Sequence, residues 1–506
     1  MKNLNLKVAI LMLMISSGTY ANIDTAELTV DQLHKLIIEN KTTFKETMQD
    51  YLNAIAKNDQ KGAHLNSIIV INPEALIAAE QADLEYKKIG KLKPLQGVPV
   101  LLKDNVDTEN LLTTGGSISL KNNITTENAF IAQKLKDAGA IVIAKTNLHE
   151  FAVWGETKSS MQGQTHNPYD LTRTPGGSSG GTGASVAANF GIIGIGTDTI
   201  NSIRSPASAN SLVGLRPTIG LVSRSGIIPY SFTQDTAGPI TRTVTDAART
   251  LNVIVGYDPT DSITSLANNY SVDYTQSLKL NGLENKRIGV LNSFFGKEDI
   301  HKTTNDVVNQ AILQMEKSGA TIIQIDEPIN ADALVRDTSV HLYDLDEDLS
   351  TYLISHPKQK PIGNLANLIQ SGEFDDGIKA NIEKAVTLKK DSEEYKKRLI
   401  AREKLQKDVE KLMKNNQLDA LVFPHQKRLV VPIGETQIER NGVLGSVTGF
   451  PSIVVPAGFS PKTETAPIGV PVGIEIFGLP LSEPQLLEIA YSFEQQYPMR
   501  KKPTLK

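Results

Sequence analysis

The most informative part of this chain is PGGSSGGTGASVAANFGIIGIGTDTINS, residues 175–202. It begins as a glycine-rich loop with two serines, continues through a short helical segment and an apolar strand, and ends in a polar turn at Ser202. Glycine permits positive φ angles and lets successive N–H groups converge, which suits an anion or the oxyanion of acyl transfer. The stretch therefore places candidate hydroxyl nucleophiles, Ser178, Ser179 and Ser202, on two adjacent turns.

Strand and helix patterns alternate on both sides of this stretch. Apolar runs of strand length at 97–104 and 139–144 enclose a helical pattern at 128–138, and the same order returns between residues 287 and 323. Strand, helix and strand in this order is typical of parallel strands. We therefore predict an α/β fold with a large, mostly parallel, twisted mixed sheet flanked by helices on both faces.

A single large domain is expected, because no Pro/Gly/Ser-rich linker divides the chain after its first residues. Its core is predicted at about 70–260 and 420–500, with a more variable helical region at about 260–420. Much of that region is charged with alternating signs, which is typical of solvated helix faces, and we assign it no chemistry.

Composition excludes several classes of function. The chain has 506 residues, 40% of them hydrophobic, with a net charge of -4 and no cysteine. This charge leaves no basic excess for a phosphate backbone, so no nucleic-acid partner is predicted. The missing cysteines remove disulfides, thiol catalysis and Cys-based zinc sites. His149, His166 and His425 are unclustered and interpreted as structural, so we predict no metal and no cofactor.

The N-terminus predicts export. Lys2 and Lys7 form a positive region, residues 8–15 are an apolar run, and Thr19-Tyr20-Ala21 places small residues before a possible cut. This pattern is typical of a secretory signal peptide at 1–21, cleaved after Ala21, with the domain at 22–506. The alternative is an amphipathic helix or membrane anchor, but the run is far shorter than the ~20 residues of a span. We expect a soluble mature protein, periplasmic or secreted, without a membrane span.

The loop also matches G-x-S-x-G, the nucleophile elbow of α/β-hydrolases, which would make it an esterase-type site. An elbow follows a strand, whereas residues 165–175 are polar and rich in turn formers. Asp419 and His425 are conceivable later partners of such a triad, but nothing in the sequence places them near it. The elbow is therefore the weaker interpretation of the loop.

Several motifs, in order, resemble the amidase signature family of serine hydrolases. The match is dense from about residue 95 to 248 and again from 445 to 478, and thin between 260 and 420. The matching segments are GVPVLLKDN (97–105), TTGGS (113–117), KTNLHEF (145–151), NPY (167–169), GGSSGG (176–181), GTDT (196–199), SIR (202–204), GLRPT (214–218), GFPSIVVPAG (449–458) and GVPVG (469–473). The run at 202–210 resembles that of a secreted or peptide-amidase-like subgroup.

The resemblance implies a role for three residues. Lys103 would be the general base, Ser178 a bridging serine after a cis Gly177–Ser178 peptide, and Ser202 the nucleophile. Ser179 would support them. A lysine is a base only when neutral, so its pKa has to fall from about 10.4 toward 7, ~4 kcal/mol of differential solvation. The apolar strand that leads into Lys103 is a plausible means of desolvating it.

The turn before Ser202 departs from the family pattern. Many members have two glycines, or a small residue and glycine, where this chain has Ile200 and Asn201. The expected oxyanion donors are the backbone N–H groups from Thr199 through Ile200 and Asn201, but a β-branched residue resists positive φ. Asp198 and Arg204 are expected either to orient the nucleophile or to form a surface salt bridge.

These observations predict an exported amidase that hydrolyses carboxamide C–N bonds through an acyl-Ser202 intermediate. The alternatives are a catalytically impaired member that keeps the cleft for binding, and the elbow esterase. The substrate pocket is expected from the 260–420 region, whose helices could cover the acyl site, and from loops such as 229–234. The substrate class and the oligomeric state stay open.

Overall fold

A computed structural model describes residues 24–268, 270–355 and 362–505. The predicted signal peptide at 1–21 lies outside the described residues. The helices are α1 (Val30–Ile38), α2 (Phe44–Asn58), α3 (Ala75–Ile89), α4 (Phe130–Asp137), α5 (Gly180–Ala187), α6 (Arg204–Ala209), α7 (Val244–Ile254), α8 (Lys302–Lys317), α9 (Ala331–Thr338), α10 (His341–Ser355), α11 (Leu365–Ser371), α12 (Lys379–Ala385), α13 (Glu393–Asn415), α14 (Val443–Thr448) and α15 (Glu483–Gln496).

The strands are β1 (Ile68–Ile71), β2 (Pro99–Lys103), β3 (Ile141–Thr146), β4 (Lys158–Ser159), β5 (Gly163–Gln164), β6 (Ile193–Asp198), β7 (Val213–Arg216), β8 (Thr236–Thr241), β9 (Arg287–Leu291), β10 (Thr321–Ile325), β11 (Ala420–Pro424), β12 (Ser452–Phe459) and β13 (Pro471–Phe477). Short 3₁₀ segments cover Ile118–Leu120, Glu150–Ala152, Ser262–Ala267, Tyr274–Ser277, Asn292–Phe294, Asp299–His301 and Asp376–Ile378.

One 11-stranded mixed sheet organises the molecule, in the order β1-β3-β2-β6-β8-β7-β12-β13-β11-β9-β10. β4 and β5 form a separate small ribbon. Strands β2 and β6 are buried at every position, as expected for strands covered on both faces. The α/β class and the single large domain with a mixed sheet flanked by helices are therefore confirmed.

The expectation of a mostly parallel sheet needs correction. The pairings β3–β2–β6 and β11–β9–β10 are parallel, and the pairings between them from β6 to β11 are antiparallel, as is β1 with β3. Parallel neighbours need a crossover, which α4 supplies between β2 and β3 and α8 supplies between β9 and β10. β7 and β8, like β12 and β13, are joined without a helix, so they pair antiparallel.

The helices of the variable region form a second packed layer. We call residues 331–415, as far as they are described, the cap segment. Its apolar side chains, Leu349 and Leu365 among them, form a cluster with Phe151, Ile228 and Tyr230 of the main domain. The cap segment is thus seated on the loops that follow the central strands.

Candidate active site

Two neighbouring parallel strands end side by side and deliver the first polar groups of the site. Lys103 is the last residue of β2, while Thr197 and Asp198 end β6. The register pairs Leu102 with Ile195, so these polar residues meet at one edge of the sheet. The apolar residues that precede them in each strand pin both ends against the core.

Lys103 is fully buried and hydrogen-bonded. Its Nζ lies 2.7 Å from Ser178 Oγ and 2.8 Å from Thr197 Oγ1. Burial lowers the pKa of Lys103 to about 7, and the charges of Asp235 and Asp198 offset only part of that effect. A substantial fraction of this amine is therefore neutral near pH 7, as a proton acceptor has to be.

The glycine-rich loop brings Ser178 to this lysine because it fits into a crowded place. Of its glycines only Gly176 takes a positive φ, at 71°. A Cβ on Gly181 would lie 2.2 Å from the carbonyl oxygen of Asn147, and one on Gly177 would lie 2.7 Å from Thr157 Oγ1. Close packing thus explains most of the loop's glycines. The Gly177–Ser178 peptide bond is cis.

Ser202 lies in the turn between β6 and α6 and lines a pocket. The Ser179 N–H donates to the Ser202 carbonyl at 3.3 Å, and Ser179 Oγ donates to the Thr197 carbonyl at 3.2 Å. Ser179 therefore joins the glycine-rich loop to the turn that contains Ser202. Among the described residues, no hydrogen bond links Ser178 Oγ to Ser202 Oγ.

Three consecutive carbonyls of the turn Asp198–Ile200 are each held by a distant side chain. Arg216 Nη1 donates to the first at 2.5 Å, and Gln234 Nε2 donates to the second at 3.2 Å. The third accepts from Arg204 Nη2 at 2.9 Å and from Ser446 Oγ. Because C=O and the following N–H point in opposite directions across a trans peptide, these bonds turn the next three N–H groups the other way.

Those N–H groups belong to Thr199, Ile200 and Asn201. Within the described chain they have no acceptor, and neither does the N–H of Ser202. All four residues line the pocket, so the turn presents unpaired donors where an oxyanion would form. Neither Ile200 nor Asn201 takes a positive φ, so the strain expected from the missing glycines does not arise.

Asp198 and Arg204 lie in the interior, which rules out a surface salt bridge between them. Both are fully buried, and Arg204 contacts Asp198 at 3.1 Å and Glu475 at 2.5 Å. Arg216 Nη1 lies 2.8 Å from the same aspartate. Burial alone would raise the pKa of Asp198, but the two guanidinium groups outweigh it and hold that pKa well below its usual range. Asp198, Arg204, Arg216 and Glu475 thus form a buried charged cluster, and its two arginines hold carbonyls of the turn 198–200.

A cavity of about 240 Å³ opens beside Ser202. The turn at 199–202 forms one wall, the cap segment contributes Asp332, Val335 and His341, and two further walls come from 152–154 and 437–440. Trp154 lies under the guanidinium of Arg440, 4.8 Å from ring centroid to Cζ. The site thus combines a buried amine, hydroxyls, unpaired N–H donors and a mostly apolar pocket.

Comparison with known proteins identifies the family to which the chain belongs. The family model described as Amidase matches residues 46–487. The chain belongs to the amidase family. A probable amidase of Arabidopsis thaliana is 36% identical over 502 residues, covering 94% of this chain and 91% of that protein. A glutamyl-tRNA(Gln) amidotransferase chain of Thermoanaerobacter pseudethanolicus is 34% identical and covers 94% and 98%.

Solved amidase structures share the whole fold. The peptide amidase of Stenotrophomonas maltophilia superposes with a TM-score of 0.85 at 34% identity, covering 95% of this chain and 99% of that one. The resemblance to the amidase signature family is therefore confirmed, and this amidase is a hydrolase of amide C–N bonds. An α/β-hydrolase elbow is excluded by the context of the loop as well, since no strand precedes Gly176 directly in the described chain.

Part of the lining of the amidase pocket was not predicted from the sequence. Walls were expected from 260–420 and from 229–234, and Asp332, His341 and Tyr230 do come from there. Trp154 and Arg440 were not foreseen, because nothing in their local sequence separates them from ordinary surface residues. Among the described residues, acidic and histidine side chains nowhere form a group of three able to hold a metal ion.

Proposed function

We propose that this amidase uses Ser202 as its nucleophile, with Ser178 as the relay and Lys103 as the base. One observation carries the proposal: a fully buried lysine of pKa about 7 lies 2.7 Å from Ser178 Oγ, beside a turn with unpaired N–H groups. A serine hydroxyl attacks well only when its proton has an acceptor, and neutral Lys103 supplies one.

In the acylation step, Ser202 Oγ attacks the amide carbon while its proton passes to Ser178 Oγ and the proton of Ser178 passes to Lys103 Nζ. The carbonyl oxygen becomes an oxyanion among the N–H groups of 199–202. Collapse of this intermediate breaks the C–N bond, and the departing nitrogen takes the proton back along the same route. Ammonia or an amine leaves, and Ser202 carries an ester.

In the deacylation step, a water molecule attacks that ester and gives its proton to the same relay. The second intermediate collapses to release the carboxylic acid, and the proton returns to Ser202 Oγ. Each group ends the cycle in the state in which it began. Lys103 can do this in both directions because a pKa near the working pH favours both proton uptake and release.

Amidated peptides are the substrate class we propose. The similarity to a peptide amidase extends over 95% of this chain at 34% identity. The pocket offers apolar surface at Trp154, Tyr230 and Val335 next to polar groups at His341 and Arg440. Such a mixture suits a peptide end, with side chains and backbone amides, better than a plain aliphatic chain.

Export is a further part of the proposal. It is supported by the residues themselves: Lys2, Lys7, the apolar run 8–15 and Ala21 before a possible cut. Expression of the full chain in a Gram-negative host, followed by fractionation and N-terminal sequencing, tests it. Mature protein that begins at Asn22 in the periplasm supports export, and uncleaved protein in the cytoplasm contradicts it.

The catalytic assignment is tested with amidated peptides and a fluorophosphonate probe. Ser202→Ala should abolish labelling and lower turnover by ~10⁴-fold or more, and Ser178→Ala should slow both while leaving labelling at Ser202. Ser211→Ala, another buried serine outside the site, is the matched control. Labelling that survives in Ser202→Ala would move the nucleophile to the glycine loop, and absence of turnover with every amide would favour a binding role.

A further inference from the structure

His341 faces the pocket from the start of α10, and its role is not explained by the acyl-transfer chemistry. Its ring packs edge-on against Tyr230, with 5.1 Å between centroids. Nδ1 lies 2.5 Å from Ser339 Oγ. No described residue hydrogen-bonds to Nε2, so that nitrogen remains for a ligand. Whether it can donate or accept depends on where the ring proton lies.

Two hydrogen bonds to main-chain groups define the orientation of the Gln234 side-chain amide. The Val340 N–H donates to Gln234 Oε1 at 2.7 Å, and Gln234 Nε2 donates to the Thr199 carbonyl at 3.2 Å. A main-chain N–H can only donate and a main-chain carbonyl can only accept, so these two bonds define which end of the amide is oxygen. Oε1 is therefore an acceptor only.

The hydroxyl of Ser339 links the Gln234 amide to His341, so the acceptor role of Gln234 Oε1 determines which ring nitrogen of His341 carries the proton. Its Oγ lies 3.1 Å from Gln234 Oε1 and has to donate its single proton there. Ser339 Oγ must then accept from His341, which places the ring proton on Nδ1. Burial, with the charges of Arg398 and Arg440, lowers the pKa of His341 to about 3. The ring is neutral, and Nε2 presents a lone pair.

We propose that His341 is a specificity-determining residue whose Nε2 accepts a hydrogen bond from a substrate N–H. The ligand chemistry is a secondary amide, such as a peptide backbone N–H near the scissile bond, in preference to a tertiary amide or an ester at that position. The hydrogen bonds run from His341 through Ser339 and Gln234 to the Thr199 carbonyl. The histidine proposed to bind the substrate N–H is therefore connected to the turn whose N–H groups are proposed to bind the oxyanion. The proposal rests on the proposed function.

The first experiment uses tripeptide amides in which one backbone N–H at a time is methylated. In the wild-type protein one of these methylations should lower kcat/KM by about 3- to 10-fold, the value of a neutral hydrogen bond. The same methylation should cost His341→Leu nothing, and His341→Gln, which offers an acceptor, should recover the discrimination. A methylation penalty that is unchanged in His341→Leu overturns the proposal.

The second experiment reads the tautomer directly. Nitrogen-15 NMR of histidine-labelled full-length protein, with His341→Gln to assign the signal, should show Nδ1–H and a bare Nε2. Ser339→Ala should weaken the discrimination without touching the substrate, while Ser355→Ala at the other end of α10 should not. An Nε2–H tautomer overturns the proposal. If no amide is turned over, the proposed function fails, and the NMR result still decides the state of His341.

Discussion

Replacement of Lys103 by methionine should abolish turnover and yet stabilise the protein at neutral pH. Methionine keeps most of the volume of the side chain and has no charge to desolvate. In the wild-type protein the lysine is fully buried, and its pKa falls from 10.5 to about 7. Folding near pH 7 therefore has to remove a proton that the unfolded chain holds firmly.

The magnitude follows from proton linkage. Between the two pKa values the unfolded state binds more protons than the folded state, so this residue makes stability rise with pH from about 7 to 10.5. The penalty is about 4 kcal/mol at pH 7 and about 1.5 kcal/mol at pH 9.5. Methionine removes it but loses the hydrogen bonds to Ser178 and Thr197, about 1 kcal/mol each. Lys103→Met should thus gain about 2 kcal/mol at pH 7 and lose about 0.5 kcal/mol at pH 9.5.

Urea unfolding of both proteins at the two pH values measures this difference. The matched control is Lys145→Met: Lys145 is equally buried, but its Nζ lies 3.3 Å from Asp104. Removing it leaves the buried Asp104 carboxylate without this cation, although the hydrogen bonds from Thr114 remain, so the control should lose about 3–5 kcal/mol at both pH values. If Lys103→Met is instead less stable than the wild type by the same margin at pH 7 and 9.5, the lysine is protonated in the folded protein and cannot serve as the base.

Three further outcomes are expected. In the wild-type protein kcat/KM should rise with pH through about 7, because only neutral Lys103 accepts a proton, and should fall about tenfold per unit below pH 6 in a pH–rate profile. Arg204→Met removes a buried guanidinium shared by two buried carboxylates, although Asp198 keeps its contact with Arg216 and Glu475 keeps its contact with His425. It should lower the free energy of unfolding by about 3–5 kcal/mol, whereas the exposed Arg336→Met should not. Gly442→Ala places a Cβ 2.6 Å from His425 Cε1 and 2.9 Å from the Cβ of Asn201, the residue before Ser202. It should lower kcat more than it raises KM, and an unchanged kcat would show that the turn does not depend on this packing.

Several local elements and the two parallel parts of the sheet could be predicted from the sequence. The run 97–104 became β2, residues 128–138 became α4, and their order gave the parallel pairs on that side. A strand buried on both faces is a continuous apolar run, and its polar end marks the edge where chemistry can occur. Lys103 stands at such a polar end, but its role as the base was predicted from the family resemblance and not from the strand pattern.

The antiparallel centre and the pocket could not be predicted. The links from β7 to β8 and from β12 to β13 contain no helix, which favours antiparallel pairing, but β6 lies beside β8 and β7 beside β12, and no local pattern shows which non-consecutive strands become neighbours. In the pocket, Arg440 packs on Trp154, which lies almost 300 positions earlier in the sequence. Contacts of that kind depend on how distant loops are brought together by the sheet, which a local pattern does not contain.

The oxyanion turn shows why a departure from a motif can be misread. Glycine at 200 and 201 looks essential if the turn itself must supply an unusual φ. In this protein the orientation of the N–H groups is set instead by side chains that hold the preceding carbonyls, among them Arg216, Gln234 and Arg204. These anchors act on main-chain carbonyls, so glycine is not required at positions 200 and 201. What the site requires at this turn is the anchoring, and Ile200 and Asn201 are compatible with it.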